Sequence, residues 1–305
     1  MRKDEEMSVR PTLLTPYDVP REVYPYRRVW RTALIEIGLL VALTAVVMLA
    51  MRVTHATLGD TTRHVIGLIL ALVPLGLWLA ISYRGERHVP QPRARLLLVV
   101  LLSALLANAI GVPVVDRLFS VDQWLPTASA VTRMIGYTLI AGFTMEFLKF
   151  AVLRYSVWEE HIKTRQDGIA YSLAAAVGYA VVLNLNFVFD QSADPASVAL
   201  RVAGNTLSQV AVGVIVGAAL AELRVGNITI IGLPASLGIA ALLHGLFTTV
   251  RAGVIVGTFS TTASGNSPAV SLIVAVALVA MVFSVIGFLV QTADARARRS
   301  PTFTR

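Results

Sequence analysis

The amino-acid sequence predicts an all-α fold, a polytopic membrane bundle of about eight transmembrane helices with both termini in the cytoplasm. Three observations predict it. The 305 residues are 56% hydrophobic and 14% charged, with a mean hydropathy of +0.71. A soluble domain keeps roughly a quarter of its residues charged, so this chain lacks the polar surface of a soluble globule and suits one that faces lipid. Apolar runs long enough to cross a bilayer recur along the sequence, and Lys and Arg gather in every second connection.

A span needs about 20 mostly apolar residues. Such runs lie near 33–51, 65–83, 96–115, 131–153, 168–189, 198–221, 228–250 and 269–291. Pro113 in the third and Arg133 in the fourth make those two outer ends the hardest to place. The organisation is then a basic, aromatic cytoplasmic tail over 1–31, a membrane domain over 32–291 and a basic cytoplasmic tail over 292–305. The opening Met1-Arg-Lys-Asp-Glu-Glu is no secretory signal, because the first apolar run starts late and is too long for one.

Orientation follows the excess of Lys and Arg on the cytoplasmic side. The N-terminal tail carries Arg2, Lys3, Arg10, Arg21, Arg27, Arg28 and Arg31, and the loop after span two Arg84, Arg87, Arg93 and Arg95. Arg154, Lys163 and Arg165 follow span four, and Arg296, Arg298, Arg299 and Arg305 close the chain. The net charge of +8 therefore belongs to span flanks, not to a nucleic-acid surface. Between Pro16 and Trp30, tyrosines alternate with arginines as in a headgroup-layer anchor, and 256–268 reads as a small, polar connector. The absence of cysteine excludes disulfides, thiol nucleophiles and thiolate zinc sites.

A charge in the middle of a bilayer costs about 2.5–3.5 kcal/mol on insertion scales, so each one needs a partner or a purpose. The candidates are Glu36, Glu146, Lys149, Asn184, Asn186, Arg201, Gln209 and His244. Glu146 and Lys149 stand i, i+3 on one helix and can neutralise each other. The amides could equally be glue between helices. Counted from the cytoplasmic ends at 1.5 Å per residue, Leu183, Gln209 and His244 reach about one depth, and Glu146 joins them if span four runs on to Trp158.

At these residues the chain resembles the PrsW family of intramembrane proteases, regarded as metal-dependent relatives of the CAAX-processing and ABI membrane proteases. That family's pattern runs EExxK, DGxxY, GFAxxEN, then R before HxxxGxxxG, and finally HG. Here Met145-Glu146-Phe147-Leu148-Lys149 keeps the second Glu and the Lys, and Asp167-Gly168-Ile169-Ala170-Tyr171 matches in full. The stretch from Gly178-Tyr179-Ala180 to Asn184 follows, then Arg201, Gln209 with Gly213 and Gly217, and His244-Gly245. Order and spacing agree over about 130–250.

The departures fall on the chemistry. Met145, Leu183 and Gln209 stand where the family has Glu, Glu and His. The resemblance implies that those groups, with Glu146 and His244, hold a metal such as zinc and activate water. Such a site needs about three His or carboxylate ligands and an open position. Only Glu146 and His244 remain as catalytic or metal-binding candidates, while Lys149, Asp167, Asn184 and Arg201 read as supporting residues.

Three functions compete. One is a catalytically degenerate protease that needs no cofactor and binds transmembrane segments or partner proteins without cutting them. The second is an active intramembrane metalloprotease with a rearranged zinc site, to which Glu36 is a remote candidate contributor. The third is a transporter or channel lined by Glu146, Lys149 and His244. The lipid bilayer of a prokaryotic cell membrane is the expected setting, inherited from the resemblance.

Overall fold

A computed structural model of the chain describes residues 24–55, 58–88, 92–190, 193–225, 231–251 and 268–299. The expectations for the tail before residue 24 and for most of the 256–268 connector lie outside those residues. The described residues contain eight helices long and apolar enough to cross a membrane and no strand. They are α1 (Tyr24–Thr54), α2 (Asp60–Glu86), α3 (Leu96–Leu118), α4 (Val131–Ser156), α5 (Arg165–Asp190), α6 (Pro195–Val225), α7 (Gly232–Arg251) and α8 (Pro268–Arg299).

The two soft ends have local explanations. Pro113 does not stop α3, because the helix passes it in widened π-helical turns at Ala107–Gly111 and Pro113–Leu118. A wide turn tolerates the missing N–H and the ring that a regular α-helix would not. Arg133 lies inside α4, whose start is capped by the Ser129 hydroxyl accepting from the Thr132 amide at 3.2 Å. Its guanidinium Nε turns back to the Ala128 carbonyl at 2.9 Å. At the other end, Val157 leaves helical geometry, so α4 stops at Ser156 and does not run on to Trp158.

α6 is the axis of the bundle. In its membrane window 83% of residues are buried, against 11% in α1. One apolar cluster joins α6 to α1, α5, α7 and α8 through residues such as Leu40, Leu173, Leu207, Phe247 and Phe283. A second joins it to α2, α3, α4 and α5 through Trp78, Val99, Leu153, Tyr171 and Leu220. The least apolar spans are thus the most enclosed. That inversion is expected where lipid is the solvent and packing, rather than apolar burial, drives helix association.

Small residues set the central contact. A Cβ on Gly168 would run into the Gly217 carbonyl oxygen, and one on Gly217 into that of Gly168 and the Ser172 side chain, so α5 and α6 touch backbone to backbone. The start of α5 is fixed by a reciprocal cap. The Thr164 hydroxyl accepts from the Asp167 amide at 3.2 Å, and the Asp167 carboxylate accepts from the Thr164 amide at 2.9 Å. Arg93 then bridges Asp167 at 2.6 Å and Glu86 at 2.9 Å, tying the α2–α3 connection to α5. Arg165 pairs with Glu222 of α6 at the same end.

Candidate functional site

The polar residues expected at one depth do converge. Close approach of α4 and α7 brings the central pair together. A Cβ on Gly142 would run into the Ala241 carbonyl, and one on Gly245 into the backbone of Thr138. Gly142 lies one turn before Glu146 and Gly245 directly follows His244, so the same contact that needs glycine places carboxylate against imidazole. Glu146 Oε1 then accepts from His244 Nδ1 at 2.9 Å, although α4 ends earlier than the depth count required.

The same oxygen also takes the ammonium of Lys149 at 2.6 Å. Lys149 Nζ donates again to Gln209 Oε1 on α6 at 2.7 Å and lies 5.9 Å from the centre of the Tyr179 ring on α5. Gln209 Nε2 in turn reaches Met145 Sδ at 3.7 Å. Glu146, Lys149, Gln209 and His244 are 0, 1, 0 and 4% exposed. At this burial an unpaired charge would be severely destabilising, and the ammonium supplies the compensation.

Roles follow from the donor inventory. A carboxylate only accepts, so Nδ1 of His244 carries the proton of this bond. Glu146 and Lys149 compensate each other's charge. Among the described residues, two fully buried atoms here have no hydrogen-bond partner, the second carboxylate oxygen Oε2 of Glu146 and the Tyr179 hydroxyl.

Supporting residues separate into three places. Asn184 lies within the bundle, where its Oδ1 accepts from Asn205 Nδ2 at 2.8 Å and its Nδ2 donates to Thr206 Oγ1 at 3.3 Å. Asp167 caps α5 at the basic end. Arg201 lies over the Phe187 ring at 4.5 Å, roughly 12 Å along α6 from Gln209 at 1.5 Å per residue. Leu183 is packed among Tyr137, Met145, Leu148 and Tyr179. Glu36 is not brought to Glu146 or His244; its Oε1 accepts from the Ser82 backbone amide of α2 at 3.1 Å. Trp30, expected among headgroups, sets its ring edge-on to Phe283 at 4.9 Å.

Sequence reasoning missed Asn205 and Thr206. Their signal was present, since they precede Gln209 by one helical turn. It also left Tyr179 as a motif aromatic, without the contact to Lys149 that accounts for a large ring there.

The donor set does not fit a divalent metal. Such an ion needs about three His or carboxylate ligands, and the described residues hold no group of three or more His, Cys, Asp or Glu so placed. Glu146 Oε1 is committed to an ammonium and an imidazole N–H, Gln209 directs its oxygen to that ammonium, and a thioether is a poor ligand for such ions. The cation in this cluster is Lys149.

No curated protein and no solved structure gives a significant match to the chain. The sequence model of the PrsW family intramembrane metalloproteases matches residues 91–288. That stretch takes in α3 to α7 and most of α8, more than half of the chain, including every element that contributes to the Glu146–Lys149–Gln209–His244 cluster. The chain belongs to the PrsW family of intramembrane metalloproteases.

Proposed function

We propose that this PrsW family member is a catalytically degenerate protein of a prokaryotic cell membrane, which binds transmembrane segments or partner proteins without cutting them. One observation carries the reading. Lys149 donates to both Glu146 and Gln209, so the surviving carboxylate is neutralised from within, at the level where the family pattern would gather metal ligands. Met145 and Leu183 back that closure with packing, as Met145 meets the Gln209 amide and Leu183 joins the apolar cluster around Tyr179. What remains is a membrane scaffold that keeps the family's helices and Glu146, and has Met145 and Leu183 in place of the pattern's other two acids. The excess of Lys and Arg in the tails and alternate loops supports an orientation with both termini in the cytoplasm.

The test is the zinc and other divalent metal content per chain of detergent-purified protein, beside His244→Ala. Metal at background in both is the expected result. About one ion per chain, lost in His244→Ala, would overturn the reading. A second reading, an active protease with a rearranged site, draws support from the unpartnered Oε2 of Glu146 beside His244. It requires substrate cleavage that disappears in both Glu146→Ala and His244→Ala.

A further inference from the structure

Outside the family-matched segment, α1 carries a second membrane-embedded carboxylate with different surroundings. Glu36 Oε1 accepts from the Ser82 backbone amide at 3.1 Å, and the Ser82 side chain also hydrogen-bonds its carboxyl. Ser82 lies in the π-helical stretch Leu79–Tyr83 of α2, where the wide turn loosens the regular backbone ladder and leaves an amide able to reach a neighbour. Glu36 and Ser82 each border a small cavity, of about 30 Å³ in both cases. The first is lined by Thr32, Trp78, Ser82, Glu86 and Leu173, toward the basic end of the bundle. The second is bordered by Glu36, Leu77, Leu173, Thr206 and Val210. Leu173 borders both, and the Glu36–Ser82 bond links a lining residue of one to a lining residue of the other. Each volume exceeds the ~10–15 Å³ that one water requires, and polar groups are present in both.

Among the described residues the linings offer Glu36 no cation. α1 contributes Ala33, Ile37 and Leu40; α2 contributes Pro74 and Leu77; α5 contributes Leu173 and Val177; α6 contributes Thr206, Leu207 and Val210. The other ionisable side chain on the two linings is Glu86, a like charge committed to Arg93. Nor do these side chains form the cage of oxygens that a metal cation would need. A carboxyl placed among apolar walls, with Ser82 as its donor and no countercharge among the described residues, is less costly to bury neutral than ionised.

We infer that Glu36 is a reversible proton-binding site, reached by water through the cleft among α1, α2, α5 and α6 from the basic end of the bundle. The neutral acid keeps Oε1 on the Ser82 amide and can turn its hydroxyl toward cavity water. The ionised form would draw water inward along the same cleft. This is a site of the N-terminal hairpin, and it stands whether or not the Glu146 cluster is catalytic.

Infrared spectroscopy of the full chain in phosphatidylcholine vesicles tests it. A protonated-carboxyl C=O band is expected at neutral pH. It should shift in heavy water, fade on alkalinisation, and be lost in Glu36→Gln. A wild-type spectrum identical to that of Glu36→Gln in this region, or a band that heavy water does not move, overturns the proposal. A second measurement needs no variant. A membrane-soluble carbodiimide adds a carboxylic acid across one C=N bond: the oxygen joins the central carbon, the proton goes to nitrogen, and an oxygen-to-nitrogen acyl shift leaves a stable N-acylurea. Mass spectrometry should find that adduct on Glu36 at neutral pH and lose it at alkaline pH, whereas recovery of unmodified Glu36 at neutral pH counts against the site.

Discussion

Glu146 and Glu36 are the same side chain set in the same bundle, and the chain stabilises them in opposite ways. Around Glu146 three helices supply side chains: Lys149 from its own helix, His244 from α7 and, through Lys149, Gln209 from α6. Around Glu36 a single residue, Ser82, is the partner found among the described residues, and small cavities take the place of packed polar groups. The difference teaches where charge is permitted. A carboxylate locked to an ammonium holds its charge and in return fixes three helices in register. One beside a cleft can change its charge and fixes little. The family match covers the first and stops short of the second.

The sharpest way to break this contrast is at Lys149. Lys149→Met leaves Glu146 buried without its countercharge and should destabilise the protein by about 3–5 kcal/mol. The double variant Glu146→Gln with Lys149→Met removes both charges and should recover most of that loss, a non-additivity that unfolding of both proteins in detergent would reveal. If the double variant is as unstable as the single one, pairing is not what holds this region together. Next comes metal. Met145→Glu, Leu183→Glu and Gln209→His together restore the family's acids and histidine around Glu146 and His244. Zinc at a hundred times its dissociation constant would then raise stability by about 2.7 kcal/mol, while the wild type should show no shift in its thermal midpoint. A zinc-dependent shift in the wild type would instead favour the active reading. The smallest effect belongs to Glu36→Gln. Exchanging a neutral acid for a neutral amide keeps an acceptor for the Ser82 amide, so the change should stay within about 1 kcal/mol at neutral pH. A loss as large as that of Lys149→Met would mean that Glu36 carries a structural charge.

Much of this was legible in the sequence because the bilayer restricts the answers. Eight apolar runs became eight helices, and Asp167 before Gly168 was recognisable as a helix start because orphan amides attract carboxylates there. A depth count placed Gln209 and His244 at one level, since regular helices of opposite direction turn residue number into height, whereas for Glu146 it required an α4 longer than the one found. Two things escaped. The count gives height and not azimuth, so nothing indicated that Lys149 would reach across to Gln209 or lie beside Tyr179. The partner of Glu36 escaped for another reason: Ser82 stands 46 residues away on another helix, and its backbone amide is made available by a π-helical turn that no residue type announces. Pro113 misled in the same way, because the local widening that accommodates it depends on neighbours contributed by other helices.

The length of α6 has a consequence for the lipid itself. Its apolar stretch is bracketed by Arg201 and Glu222, and the rise between them is roughly 32 Å at 1.5 Å per residue. That is close to the hydrocarbon thickness of about 30 Å, so the central helix has little surplus length to absorb by tilting. The central helix therefore holds its two bracketing charges about one hydrocarbon thickness apart. Gln209 lies roughly 12 Å from the Arg201 bracket and 20 Å from the other. The buried ion pair is thus nearer one leaflet's surface, and lipids that thin that leaflet would shorten the distance between the pair and bulk water.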